Sequence, residues 1–242
     1  MRIDLHVPTR WQELSAEQLR AVVQDSFGEL RREEYLLVLL CQFAGIKMVA
    51  GSTAVDDDNV QRTRFKDSEG NDFSLADWQI ADFCKHLNFI LDEPMPIDCQ
   101  WPFRWDRYLS DTSFGDWFHA DAQMLGYSMD ESIERLECVT RDLGDPHDTL
   151  DVADVVLLMR WYDCFKEWIQ QRYPLVFSKA EPGDGVSVSP IDARQHIMLM
   201  LNDGRPQDND AIERSNVHDV LSALQHKIEE AKHIEEQLKH RH

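Results

Sequence analysis

The chain has 242 residues, 43% of them hydrophobic, and a formal net charge of -20 at pH 7. This length and composition suffice for a real hydrophobic core, so disorder along the whole chain is not expected. The acidic balance makes nucleic acid a poor partner, because phosphate binding draws on clustered lysines and arginines. More than half of the net negative charge lies in residues 92–163. This acidic belt serves solubility or meets a basic partner.

The cysteines and the N-terminal sequence bear on the compartment. The five cysteines contain no C-x-x-C pair. Three of them lie in predicted helices on or beside apolar faces, which is typical of reduced core thiols. Residues 1–7 lack the apolar run of a secretory leader. The sequence therefore predicts a cytoplasmic protein.

The N-terminal part of the chain predicts one strand and two helices. Apolar and polar residues alternate over 2–7, which favours a half-buried strand. The capping-box pattern Ser15-Ala-Glu-Gln18 starts a first helix that reaches about Phe27. A second helix is predicted over 29–44, with Gly45 at the position just after its end. Two helices joined so closely should form a helical hairpin.

A small sheet is predicted next. Residues 46–62 are loop-like, and residues 64–74 read as a β-hairpin whose turn depends on Gly70. A lone hairpin is only marginally stable. The strand at 2–7 is therefore expected to join it as a three-stranded sheet.

A third helix is predicted over residues 76–91. Its inner side is expected to carry large apolar residues, namely Trp78, Ile80, Phe83, Leu87 and Ile90. Prolines between 92 and 103 then exclude a regular helix and indicate an extended segment. Two further helices should contain Trp117 and Ile133.

A central core helix is predicted over residues 148–173. Its middle is apolar on nearly every face, and Pro174 ends it. Arg160 and Asp163 are among the charged residues that interrupt the apolar run, so a membrane span is not expected.

Residues 178–192 combine proline, glycine and serine without periodicity, which is typical of a linker. We therefore predict a main helical domain over 1–177, a linker over 178–192 and a C-terminal helical tail over 193–242. The predicted fold class is mainly α within α+β. It comprises a multi-helix domain with a small N-terminal sheet, and a long C-terminal helix.

The long C-terminal helix, from Ser215 to about His240, carries a narrow apolar stripe on an otherwise charged surface. The stripe includes Ala231. The remaining stripe residues form the predicted partner-binding site: Val217, Leu221, Leu224, Ile228, Ile234 and Leu238. Such a stripe needs a covering surface, either the body of the same chain or another subunit or protein.

Candidate chemistry is sparse in this sequence. His147-Asp148 is similar to the pair in metal phosphohydrolases of the HD type, with His119 and Asp163 as outlying ligands. The pair follows a Gly-Asp-Pro turn, however, which favours an N-cap and a solvated loop histidine. His119 shares a helix face with Asp116, and a tertiary hydrogen bond is the favoured role because two ligands alone rarely hold a metal.

The common catalytic and nucleotide-binding motifs are absent from the sequence. The sequence contains no G-x-S-x-G, H-E-x-x-H or G-x-x-x-x-G-K-[ST] pattern. Cys84 and His86 lie two residues apart on a predicted helix and so face different directions. We therefore assign no catalytic, metal or cofactor-binding residue and expect no cofactor.

Four stretches carry a family resemblance: residues 7–15, 36–45, 114–121 and 165–177. Together with the order of the elements, they resemble the tail-assembly chaperones and small helical tail-module proteins of phages and prophages. The resemblance implies a non-enzymatic role, either holding an aggregation-prone tail or tape-measure protein until assembly or occupying a place in the tail. It also implies a location in the cytoplasm or in an assembled virion tail.

Three hypotheses follow. The first is a phage-like tail assembly or structural protein that binds helical protein partners, or associates with itself, through the C-terminal helix. The second is a metal-dependent hydrolase that uses His119, His147 and Asp148. The third is an acidic regulatory protein that binds a basic protein. Neither nucleic acid nor membrane is an expected partner.

Overall fold

The structure is a computed structural model of the chain. It describes a discontinuous set of residues: 5–26, 30–102, 111–124, 133–144, 149–177, 190–202 and 205–239. The chain divides into two compact units, each treated by itself below. The first unit comprises residues 1–102 and 152–161, and the second comprises residues 103–151 and 162–242.

The described residues form ten α-helices and a small antiparallel sheet. The helices are α1 Ala16–Ser26, α2 Arg32–Phe43, α3 Asp77–His86, α4 Phe89–Asp92, α5 Phe114–Met124, α6 Ile133–Asp142, α7 Val152–Arg172, α8 Pro190–Leu201, α9 Asn209–Arg214 and α10 Val217–Lys239. The strands are β1 Lys47–Met48, β2 Ala54–Val55, β3 Gln61–Lys66 and β4 Asp72–Ala76. The prediction of a mainly α fold with a small sheet is confirmed.

The sheet belongs to the first unit and is built around β3. One side of β3 pairs with β4, and the other side pairs with both β1 and β2. Met48 lies opposite Phe65 and Ala54 lies opposite Arg62. Between these pairs the edge has five residues, 49–53, and β3 has only two, 63 and 64, so the five residues form a bulge. Residues 47–55 are therefore one edge strand interrupted by a large bulge.

This edge strand corrects two predictions. Residues 46–62, expected to be a loop, supply β1, β2 and the start of β3. The strand predicted over 2–7 is not formed at residues 5–7, and the rest of it lies outside the described residues. Leu5 does pack against the apolar cluster of the sheet, which consists of Ile46, Phe65 and Leu75, without joining a strand. With β1 and β2 counted separately the sheet has four strands, and the strand material that accompanies the hairpin is supplied by residues 47–55.

The predicted hairpin at 64–74 is confirmed as β3 and β4. Phe65 lies opposite Phe73, and the two rings stack with centroids 5.8 Å apart. The turn between the strands contains Gly70, whose φ of 86° suits glycine. The Asp67 carboxylate accepts hydrogen bonds from the backbone N–H groups of Glu69 and Asn71, at 2.9 and 2.8 Å.

The helices α1 and α2 pack against each other as the predicted helical hairpin. The Tyr35 hydroxyl donates a hydrogen bond of 2.8 Å to the carbonyl of Val22. Gly45 follows α2 with a φ of 63°. The Ile46 N–H donates to the Cys41 carbonyl at 2.9 Å, which completes a Schellman motif. The predicted helix-ending glycine is confirmed.

The predicted third helix is divided into α3 and α4 around Leu87, which is fully buried. Ile80 and Phe83 pack against the apolar cluster of the sheet, as expected. Trp78 does not, because 67% of it is exposed. It lies two residues before Ile80, and residues two apart on a helix face different directions. The inward placement of Trp78 was therefore wrong.

The central helix α7 is confirmed as a buried helix. Its fully or nearly fully covered side chains are Ala153, Val155, Leu157, Leu158, Trp161, Tyr162, Phe165 and Ile169. Val152, in its first turn, is 54% exposed. None of the described helices combines the length and apolar character needed to cross a membrane.

The second unit is organised around the start of α5. Ser113 and Asn216 form a β-bridge, and the flanking Phe114 N–H donates to the Ser215 carbonyl at 2.8 Å. These bonds hold the first residues of α5 and α10 side by side. A side chain at Gly115 would place Cβ 3.3 Å from the Glu213 carbonyl oxygen, so glycine permits the close approach of α5 to α9.

The predicted linker falls mostly outside the described residues, since 178–189 are not among them. Helix α8 begins at Pro190, three residues before the predicted start of the tail. The division of the chain at 178–192 stays a prediction.

Candidate functional site

The predicted partner-binding stripe runs along α10, and its two halves have different environments. In the first half, Val217 is 1% exposed, Leu221 0% and Leu224 2%. Ile228 is half-buried. In the second half, Ile234 is 57% exposed and Leu238 54%. The structure therefore covers one half of the stripe and leaves the other open to solvent.

The covered half is held within the second unit. It packs against α5 and α8. The Tyr173 hydroxyl lies 2.7 Å from Nδ1 of His218, and the His218 ring meets Trp168 edge-on at 5.7 Å. Further along, Lys227 Nζ donates a hydrogen bond of 2.8 Å to the carbonyl of Met200, near the end of α8. Val217, Leu221 and Leu224 are thus occupied by the chain itself and are removed from the predicted partner site.

The open half comprises residues 229–239, all of which are exposed. At 1.5 Å per residue, this is about 16 Å of helix. This end continues a packed helix, so it needs no nucleation of its own, but it lacks the tertiary packing that supplies most helical stability in proteins. We therefore expect this end of α10 to become more ordered when another surface covers it.

The open half has the pattern of a coiled-coil seam. With Val217 at heptad position a, Ala231 and Leu238 also occupy a, and Ile234 occupies d. Glu230 and Glu235 then occupy g and e, which border the seam. A second helix laid along this face would meet three apolar positions between two carboxylates.

Both bordering glutamates are paired along α10 itself. His226 Nε2 lies 3.4 Å from Glu230, and Lys239 Nζ lies 2.6 Å from Glu235. The hydrogen bond and charge of Lys239 lower the pKa of Glu235. These pairs are exposed, and exposed ion pairs are weak and screened by salt. Both carboxylates therefore stay accessible to an incoming positive charge.

His119 and Asp116, two of the residues considered for metal chemistry, each have another partner. His119 Nδ1 pairs with the Asp142 carboxylate, and His119 Nε2 lies 3.4 Å from the Gln123 amide nitrogen. Asp116 accepts a 2.6 Å hydrogen bond from Ser113 at the start of α5. His147 and Asp148 lie outside the described residues. Within the described part of the chain, no three His, Cys, Asp or Glu side chains are grouped to hold a metal.

Two thiols of the first unit have perturbed acidity. Burial raises the pKa of Cys84 to about 11, and the nearby Cys41 adds to the effect. Burial also raises the pKa of Cys41. Because the thiolate is the reactive form, both groups are poor nucleophiles at neutral pH.

Two surface cavities of the first unit, on either side of α2, were missed by sequence reasoning. One of about 800 Å³ is lined by Leu37, Val38, Cys41, Ile46 and Met48, among others. The other, of about 560 Å³, shares Leu37 and reaches Ile80 and Cys84. The sequence feature that could have indicated them is the apolar run at 35–41. It places apolar residues on more faces of α2 than the elements packed against that helix can bury.

The solvent face of the sheet is basic, which sequence reasoning also missed. It carries alternating cations on β3 and one on β1, namely Arg62, Arg64, Lys66 and Lys47. The Asp56 carboxylate accepts a 2.6 Å hydrogen bond from Arg62, which lowers the pKa of Asp56. Asp72 lies 3.6 Å from Arg64 and 4.0 Å from Lys66. These acids balance part of the positive charge and tie neighbouring strands together.

Of these features, the open half of α10 is the strongest candidate functional site. Its apolar stripe is predicted from the sequence, and its side chains are exposed in the structure. The first half of the same helix is packed within the second unit. The two cavities beside α2 have largely apolar linings. The charged residues around the smaller one are of both signs, Arg32 and Lys85 with Glu33 and Asp77, so the lining indicates no class of ligand. Comparisons of the chain with protein-family models, curated proteins and solved structures give no match.

Proposed function

We propose that this protein is a non-enzymatic assembly protein that binds another helical protein through the open half of α10. The observation that carries the proposal is the exposure of Ile234 and Leu238, at 57% and 54%, on a helix whose first half is firmly packed. An amphipathic helix of this kind binds by laying its apolar face against a groove or a second helix.

The size of the surface sets the expected affinity. Fully burying a large apolar side chain contributes about 1.5–3 kcal/mol, and Ile234 and Leu238 are already partly covered. With the half-buried Ile228, these side chains would contribute about 2–4 kcal/mol on binding, and the apolar side chains of the partner that they cover would contribute about as much again. Association itself costs at least about 4 kcal/mol. The surplus is then at most about 4 kcal/mol, which corresponds to a dissociation constant of about 1 mM. Such weak, reversible binding suits temporary holding of a partner, and tighter binding requires contacts elsewhere.

The resemblance to phage and prophage tail-module proteins supplies the class of partner. Tail and tape-measure proteins of long helical character are the proposed partners, met in the cytoplasm or in an assembled tail. Support comes from the four short stretches given above and from the seam of α10. The role we propose is to cover the helix of such a protein until assembly.

Co-purification with the products of neighbouring genes tests this function. We expect one helical protein to co-purify with the wild-type chain and to be lost with the double variant Ile234→Ser/Leu238→Ser. The matched control is Glu229→Ser/Glu236→Ser, which changes exposed residues on the opposite face of the same helix. Both variants should keep the wild-type melting temperature, since surface changes of this kind shift stability by less than about 0.5 kcal/mol. Equal binding by both variants would contradict the proposal.

A further inference from the structure

The charges that border the open half of α10 define the partner more closely. Resting on the proposed function, we infer that the partner helix carries lysine or arginine beside its apolar stripe and is not a second copy of this chain in parallel. The inference depends on which residues border the seam and on the charge of the whole chain.

In a parallel pair of helices, a residue at g faces the residue at e′ in the next heptad of the other helix. For α10 this places Glu230 against Glu235 of a second copy, and the contact occurs twice by symmetry. Like charges at these positions disfavour pairing. Two copies of α10 in parallel would therefore meet repulsion on both sides of only three apolar positions.

A basic partner helix would be attracted to these glutamates instead of repelled by them. Lysine or arginine at its e′ and g′ positions would face Glu230 and Glu235 as partners. The long stems of these side chains would also cover the edges of Ile234 and Leu238. The carboxylates lose little in the exchange, because their present pairs with His226 and Lys239 are exposed.

The wider charge of the protein favours the same partner. Residues 229–239 carry four glutamates and two lysines, and the whole chain carries a net charge of -20. Such a field attracts positively charged surfaces and raises their rate of association, and it repels acidic ones. Local and long-range charge therefore select the same class of helix.

Two synthetic helices test the inference. Both have about three heptads with Ile at a and Leu at d, one with Lys and the other with Glu at e and g. Each is titrated against the full chain, followed by changes in the NMR spectrum so that weak binding is measurable. We expect the Lys helix to bind at least about tenfold more tightly than the Glu helix. The preference should shrink as salt rises from about 50 mM to 500 mM.

The charge-reversed chain Glu230→Lys/Glu235→Lys provides the matched control, and we expect it to lose the preference for the Lys helix. Equal binding of the two helices would overturn the inference while leaving the proposed function intact, provided that Ile234→Ser/Leu238→Ser weakens both. Concentration-dependent dimerisation of the wild-type chain, abolished by Ile234→Ser/Leu238→Ser, would also overturn it. If neither helix binds at millimolar concentration, both the inference and the proposed function fail.

Discussion

Truncating Leu221 and Leu238 to alanine, one at a time, separates the two halves of α10. The two residues lie on the same apolar stripe and differ only in their surroundings, with exposures of 0% and 54%. Leu221→Ala removes buried methyl groups and leaves a cavity, which costs about 2–5 kcal/mol. Leu238→Ala alters a side chain already in water and should change the free energy of unfolding by less than about 0.5 kcal/mol.

Urea unfolding followed by far-UV circular dichroism measures both variants. With a slope of about 2 kcal/mol/M, Leu221→Ala should lower the midpoint by about 1 M or more, and Leu238→Ala should leave it unchanged. The contrast matters because the substitution, the helix and the wild-type residue are the same. Equal losses for the two variants would show that the end of α10 is packed in solution, and the reasoning would be refuted.

Three further predictions concern the rest of the fold. Burial, followed by the charge of Arg172, lowers the pKa of His218 from 6.5. Stability should therefore be full above pH 6.5 and decline as the pH falls through 6.5 toward the folded pKa, and His218→Gln should flatten this part of the urea-midpoint profile. Cys84, with a pKa of about 11, should react with iodoacetamide at pH 7 far more slowly in the native chain than in urea, as judged by mass spectrometry. Gly45→Ala should cost about 1–2 kcal/mol in the same urea assay, because φ is 63° there, and an unchanged midpoint would contradict the Schellman ending of α2.

The parts of the fold that could be predicted from the sequence depend on local chemistry. Gly45 and Gly70 mark a helix end and a hairpin turn because few other residues adopt a positive φ without strain. The burial of α7 follows from an apolar run too long for one face. These signals lie within a few residues of the structure they specify, so no knowledge of the rest of the chain is needed.

The parts that could not be predicted depend on distant partners. The edge strand at 47–55 has only two paired residues on each side of its bulge, so no alternating pattern shows in the sequence. Trp78 is a different case, because its spacing from Ile80 already puts it on another face of α3, and its large apolar side chain misled the prediction.

The candidate site shows the same division. The stripe from Val217 to Leu238 is visible in the sequence, because its period is local to one helix. The sequence does not show which part of the stripe is buried, because that depends on α5 and α8, which cover only its first half. The cavities beside α2 could be anticipated only as an excess of apolar residues, without a position.

Amide hydrogen exchange along α10 tests the central claim most directly. In the free protein we expect slow exchange over residues 217–224, which are packed in the second unit, and fast exchange over 229–239, where the helix has no apolar support. Addition of the Lys helix should slow exchange at 229–239 alone. Uniform protection of the whole helix in the free protein, or no change on addition of the Lys helix, would contradict the claim that this end of α10 is open and receives a partner.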